Sequence, residues 1–400
     1  MNFNPELRFI VTSDIHYKMD SDVEKERFEK GMQLALRYAE NSSYKNIDAF
    51  FAVGDFANRG AYDEMMKFKA SLDKCFTDDT KKVLMLASHE FHGEGGQERA
   101  EQQLKEIFNQ EPDNYLTIKG RHFICISTED GCRIKEAKQQ WLKDCLEDSI
   151  KDGREKPIFV FQHPHLTDTV YGSINWGDDD IIAILTDYPQ VIDFSGHSHA
   201  PVNDPRSIHQ KYFTSLGTGS FSYFELDEFD FMYGTVPPDC DECAQYYIVE
   251  ADKDNRVRIL AVDVLTECFF NDGYLIETPW EPDSFIYTDR RALTESAPYF
   301  PADFSCKTEV KDDSLFISFS QAESDSFGVD SYSVVLREND SNSILAQKKI
   351  SSSYYRKNMP QFLELNIDKP KNKGIYKIEI TANGFWHAKS DKFTHIFTLE

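Results

Sequence analysis

The chain has 400 residues, 40% of them hydrophobic and 14% aromatic, with a formal net charge of −25. That length admits two domains with sizeable cores, and the composition is that of a globular protein, not a disordered one. A surface of this sign repels phosphate polymers and argues against a nucleic-acid partner, while an anionic substrate requires local positive charge from metal ions or a few arginines.

The N-terminal stretch MNFNPELRFIVTSDIHY shows neither the basic segment nor the long apolar core of a signal peptide. No apolar run approaches the roughly 20 residues of a membrane span. The expectation is a soluble, cytoplasmic protein without a membrane partner. The eight cysteines are too sparse for a disulfide scaffold. Cys125 in "HFICIS" reads as a small buried hydrophobe.

In chain order, short Val/Ile/Phe-rich runs alternate with amphipathic segments. The runs are "LRFIVTS" (7–13), "IDAFFAVG" (47–54), "KVLMLAS" (82–88), "HFICIST" (122–128), "PIFVFQ" (157–162) and "QVIDFSG" (190–196). Continuous apolar runs of this length predict strands buried on both faces. Phe28, Met32, Ala35 and Ala39 repeat at helical spacing, and 62–77, 97–109 and 134–149 behave similarly. "DDDIIAILTDYP" (178–189) predicts a further helix with carboxylates at its N-terminus. The alternation gives an α/β layered domain. From 212 to 265 "KYFTSLG", "QYYIVEA" and "RVRILAVDV" read as strands around a loop insertion at 221–243.

The stretch 271–303 shows no period. After a boundary near 300 the pattern turns to period two, as in "SLFISFS", "YSVVLR" and "YKIEITA". That predicts an antiparallel sandwich of about 100 residues. The expected domains are 1–300, with 266–300 as linker or wrap, and an all-β domain over 301–400.

The polar residues on those strands collect at their C-terminal ends. The first strand ends in Asp14-Ile15-His16, the second in Gly54-Asp55 followed by Asn58-Arg59-Gly60, and the third in Ser88-His89-Glu90. The fifth ends in His163, and the sixth in Gly196-His197-Ser198-His199. In open α/β sheets this edge is where sites form. Carboxylate and imidazole together suit divalent Zn, Mn or Fe. One metal can be held by Asp14, His16 and His199 and a second by His163 and His197, with Asp55 bridging them. Such a pair clamps a phosphoryl group and lowers the pKa of a shared water. Each piece alone is weak, since an Asp after a strand is often a helix cap; the pattern over five strand ends carries the reading.

The order D-x-H, GD-x-x-x-R, H-E, H, GH-x-H over 7–265 resembles the calcineurin-like metallophosphoesterases. The resemblance implies a two-sheet β-sandwich flanked by helices, four layers in all, with the site on strand C-terminal loops. It implies two divalent ions, the first on Asp14, His16, Asp55 and His199 and the second on Asp55, His163 and His197. It further implies a metal-bound hydroxide as nucleophile and His89 as the catalytic histidine that protonates the leaving oxygen or steadies the phosphoryl oxygens. One position departs: Ser88 stands where the family carries an asparagine ligand of the second metal, so that site is expected to be weaker.

Arg59, His92 and His165 are further candidates for contacting a phosphate-ester substrate, with a surface ion pair or a solvated loop as the alternative for each. Tyr17, Tyr171 and Trp176 can stack a nucleobase or aryl group, or simply pack. Cys240 and Cys243 form a lone C-x-x-C, read as two loop thiols or a disulfide. No tyrosine follows Asp55 before Tyr62, which disfavours the purple acid phosphatase branch. The leading function is hydrolysis of a small, nucleotide-like phosphodiester, or of a phosphomonoester. The alternatives are a phosphoprotein phosphatase, on the likeness of "GDFANRG", and a non-catalytic scaffold, on Ser88. The all-β region resembles an immunoglobulin or fibronectin module and shows no catalytic cluster.

Overall fold

The Val/Ile/Phe runs of the first half become short strands, and nearly every one is buried on both faces because two sheets stack and helices cover their outer sides. The computed structural model describes residues 3–228, 232–235, 237, 239–270 and 272–400. It divides into two units, Met1–Asp289 and Arg290–Glu400.

In the first unit one sheet runs β16 (Cys268–Phe269), β15 (Val257–Asp263), β14 (Gln245–Asp252), β1 (Pro5–Thr12), β2 (Ala49–Val53), β3 (Lys81–Met85), with β17 (Tyr274–Ile276) also pairing β15. The other runs β10 (Ile208–Gln210), β11 (Thr214–Gly217), β9 (Val191–Ser195), β6 (Ile158–Phe161), β5 (Arg121–Cys125), β4 (Asn114–Ile118). Strands β1, β2 and β3 are parallel, as are β5, β6, β9 and β11. Residues 266–276, expected as linker, supply the two outer strands β16 and β17.

Phe9, Phe51, Phe123, Phe159, Phe161 and Phe194 fill the space between the sheets. Phe9 packs edge-on against Phe159 at 4.9 Å and Phe123 at 5.3 Å between ring centres. Alternate residues of the same strands point outward. Ile10, Phe50 and Leu84 meet Phe28, Met32 and Phe68 on α1 (Val23–Asn41) and α2 (Tyr62–Cys75), and Leu104 on α3 (Gly96–Phe108). Ile124, Val160 and Val191 meet Leu142 and Leu146 on α4 (Glu136–Ser149). The result is a four-layer α/β/β/α unit.

Two local expectations change. The 178–189 segment is helical only over Ile182–Leu185, because Gly177 and Asp178 form β8 and pair with β7 (His165–Leu166). Asp178 and Asp180 take up Arg133 and do not cap a helix. The 221–243 insertion contains a small hairpin, β12 (Leu226–Glu228) with β13 (Met232–Thr235); residues 229–231, 236 and 238 lie outside the described residues.

The second unit is all-β. One sheet is β18 (Cys306–Lys311), β19 (Ser314–Ser320), β22 (Phe362–Asp368); the other is β21 (Ile344–Ser351), β20 (Ser331–Glu338), β23 (Gly374–Asn383), β24 (Phe393–Leu399). All pairings are antiparallel. The period-two residues Leu315, Ile317, Phe319, Val334, Leu336, Ile378 and Ile380 form its core.

Among the described residues no helix is long and apolar enough to cross a membrane.

One buried carboxyl sits away from the strand ends. Asp193 lies on β9, its Oδ1 accepting from Gln162 Nε2 at 3.4 Å while Oδ2 has no partner. Burial, opposed only by Gln162, pushes its carboxyl up to about 8. The unfolded chain ionises this group near its ordinary value of 3.8, so between these two pH values unfolding releases a proton and stability falls as pH rises. Asp193→Asn should therefore stabilise the protein at pH 8 to 9 and change little at the acid end of that window, as read by urea unfolding at each pH.

Candidate metal centre

The parallel strands deliver their polar ends to one edge, and the backbone there is unusual. Asp14, His16, Asp55, His197 and His199 all have positive φ, between 50° and 74°. Non-glycine residues in this left-handed region cost of order 1 kcal/mol or more apiece. The turns are fixed by hydrogen bonds between loops: Asp14 N–H donates to Gly54 O at 3.3 Å and His16 N–H to Asp55 O at 3.0 Å.

This geometry aims six side chains at two adjacent points. Asp14 Oδ1 lies 3.2 Å from His199 Nε2 and 3.9 Å from His16 Nε2, and the two imidazole nitrogens are 3.2 Å apart. His163 Nε2 lies 3.1 Å from Asp55 Oδ2 and 4.0 Å from Asp14 Oδ1. Three overlapping groups have ligand atoms within 4.8 Å of one another: Asp14, His16 and His199; His16, Asp55 and His89; and Asp55, His163 and His197. Asp55 and His16 each belong to two of these groups.

The donor set fits divalent cations. Asp14 Oδ1 and His163 Nε2 are buried and lack a hydrogen-bond partner. His163 Nδ1–H donates to Val53 O at 2.8 Å and His199 Nδ1–H to Tyr223 O at 3.1 Å. Each bond turns Nε2 inward, the usual way a backbone carbonyl orients a ligating histidine. Burial would raise Asp14, but His199 and His163 hold it well below the carboxylate range. Burial would lower His163, but Asp55 and Asp14 push it up to about 10. Burial and His199 hold His16 down to about 3, and burial and His163 hold His197 down to about 4, so both stay neutral and able to ligate.

Behind the ligands stands Glu90, which the sequence reading left without a role. Its buried carboxylate accepts from the N–H groups of Asp55 at 3.0 Å, Ala57 at 2.9 Å and Ala87 at 2.9 Å. It ties the loop after β2 to the loop after β3. Burial and the Asp55 charge push its carboxyl up to about 8.

The remaining candidates fall in different places. His89 is half-buried, its ring 4.4 Å from that of His16, and its Nδ1–H donates to Asn58 O at 2.7 Å. Ser88 Oγ donates to Asp55 Oδ2 at 3.3 Å, at the side of the second group. His92 is exposed with its ring 4.6 Å from His89, and Arg59 is exposed with no ion pair or side-chain hydrogen bond among the described residues.

His165 does not line the pocket: it is buried, and its two ring nitrogens bond Ser195 Oγ at 2.7 Å and Ser198 Oγ at 2.6 Å. It positions the 195–199 turn instead. Tyr17 is likewise buried, packed against Phe28 and Phe68, and Tyr171 lies under Arg206 at 3.9 Å. Trp176 does reach the site, 4.9 Å edge-on from the His197 ring. Cys240 and Cys243 are free thiols. Sequence reasoning missed Tyr223, 4.2 Å from the His199 ring, and Cys132, whose sulfur lies 3.4 Å from His197 Nε2. Neither carries a local signal, because each reaches the site only through the folding of a distant loop.

Residues 7–201 match the model of the family described as calcineurin-like phosphoesterase. No curated protein sequence matches the chain. Among solved structures, a purple acid phosphatase from yellow lupin (Lupinus luteus) seeds aligns at 14% identity over 68% of this chain, with a TM-score of 0.49. The chain spans 53% of that protein's length. Domains d3–d4 of the rat CD45 extracellular region align at 10% identity over 26% of this chain and 51% of their own, with a TM-score of 0.19.

Two glycines hold the ligand loops in contact. A Cβ on Gly196 would overlap Ser13 Oγ and come within 2.6 Å of Asp14 Oδ2; one on Gly54, where φ is +85°, would lie 2.5 Å from His163 Nδ1. Gly196→Ala should empty the position held by Asp14, and Gly54→Ala the position held by His163. Counting bound metal per folded chain by mass spectrometry checks both.

Proposed function

We propose that the protein is a metal-dependent phosphoesterase whose substrate is a small, nucleotide-like phosphodiester. The observation that carries the reading is the pair of donor groups, Asp14–His16–His199 and Asp55–His163–His197, sharing one buried edge with a half-buried histidine beside them. Two divalent ions bound there supply an activated water and a clamp for phosphoryl oxygens.

The chain's own groups do the rest. Asp14 and Asp55 place negative charge where cations bind. The Val53 and Tyr223 carbonyls keep His163 and His199 in the ligating tautomer. His89 spends Nδ1 on Asn58 O, so Nε2 is the atom left to give a proton to the leaving oxygen or a hydrogen bond to the phosphoryl group. The Arg59 guanidinium is exposed and unpaired, so it can meet the charge of an approaching phosphate. Trp176 and Tyr223 flank His197 and His199 and can take the flat face of a base or aryl group. We take the second unit as an immunoglobulin- or fibronectin-like module without chemistry of its own, since its inward residues are apolar.

Metal-loaded protein should cleave bis-p-nitrophenyl phosphate faster than p-nitrophenyl phosphate. His89→Ala should lower kcat by about 10²–10⁴-fold, the usual worth of general acid–base help, with folding unchanged. A preference for the monoester would turn the reading toward a phosphatase. Full metal occupancy with no hydrolysis of either ester would favour the scaffold that Ser88 hints at.

A further inference from the structure

The second donor group is short of a ligand. Asp55, His163 and His197 offer three atoms, and the group at the family's asparagine position is a serine hydroxyl already turned to Asp55. A neutral hydroxyl is a poor substitute for an amide oxygen. His163 Nε2, wholly buried and without a hydrogen-bond partner, faces this position.

On the same side lies Cys132, half-buried, with Sγ 3.4 Å from His197 Nε2. A tetrahedral zinc with its usual bond lengths to sulfur and nitrogen spaces those two ligands about 3.6 Å apart. The loop that carries Cys132 is pinned. Glu129 and Arg133 exchange backbone hydrogen bonds of 2.7 and 2.9 Å across it. Ile134 N–H donates to Asp180 Oδ2 at 2.8 Å, and Arg133 Nε lies 3.2 Å from Asp178 Oδ2.

We propose that Cys132 is a ligand of the second metal position, supplying the donor that Ser88 cannot. The inference rests on the metal-centre reading above. As folded, the thiol adjoins the Asp55–His163–His197 group at His197 but is not one of its members, so coordination requires the side chain to turn inward. Coordination forms a sulfur–metal bond, breaks the S–H bond and releases that proton to solvent. The thiolate and Asp55 then balance a divalent charge. One sulfur among oxygen and nitrogen donors tilts this position toward zinc, cobalt or iron and away from manganese, while the Asp14–His16–His199 position has no sulfur within its group.

The test is to load the full chain with cobalt(II), count bound ions by native mass spectrometry, and record the absorption spectrum. The expected result is two ions per chain and a near-ultraviolet thiolate-to-cobalt charge-transfer band that Cys132→Ser removes. In Cys132→Ser the first ion should remain, which reports a folded chain, and the second should bind more weakly or be lost. Ser88→Asn in that background should recover the second ion without the band. Bound cobalt with no such band, or a band that survives Cys132→Ser, overturns the role of Cys132 and leaves the metal centre standing. Absence of bound cobalt altogether overturns the metal centre, and this inference with it.

Discussion

Asp14 and Asp55 are buried beside one another, and among the described residues neither is paired with a lysine or arginine. Burying one ionised carboxylate without a partner is costly, and burying two in one place more so. Histidine rings, the His89 and His197 N–H groups and the Ser13 hydroxyl surround them instead. Those groups compensate part of the charge and leave Asp14 Oδ1 unsatisfied. The carboxylate and imidazole groups that the strand-end loops bring together there suit divalent cations, which would answer this need.

The same requirement explains the strained backbone. A D-x-H or H-x-H segment aims both side chains at one point only if the chain turns sharply, and here both residues of each pair adopt left-handed geometry. The strain is held by contacts behind the donor atoms. Glu90 gathers three N–H groups from two loops, His165 clamps Ser195 and Ser198, and Gly54 and Gly196 let the loops approach. The interlocked phenylalanines between the sheets keep the strand ends from drifting apart.

The two metal positions are not equivalent. The first is a closed triangle of Asp14, His16 and His199 with 3.2–3.9 Å edges. The second offers Asp55, His163 and His197, with Ser88 Oγ 3.3 Å from Asp55 Oδ2 and Cys132 Sγ 3.4 Å from His197 Nε2 beside it. The aromatic walls, Trp176 and Tyr223, come from loops as well. Loops tolerate change without cost to the sheets.

The strands, the main helices, the period-two second unit and the ligand-type residues at the strand ends were legible in the sequence. Hydrophobic periodicity is a local property, and a carboxylate or imidazole closing a buried run is conspicuous. The 178–189 helix failed because Asp178 and Asp180 are engaged by Arg133, more than forty residues away. His165 and Tyr17 sit next to ligand motifs in sequence yet point into packed interior, because adjacent residues in a turn or strand face different ways. Cys132 and Tyr223 enter the site through loops 65 residues from His197 and 24 from His199. The residue types closing each buried run set which chemistry the strand ends can carry. Which loops meet there is visible in the folded chain alone, since those meetings depend on long-range packing that no local pattern encodes.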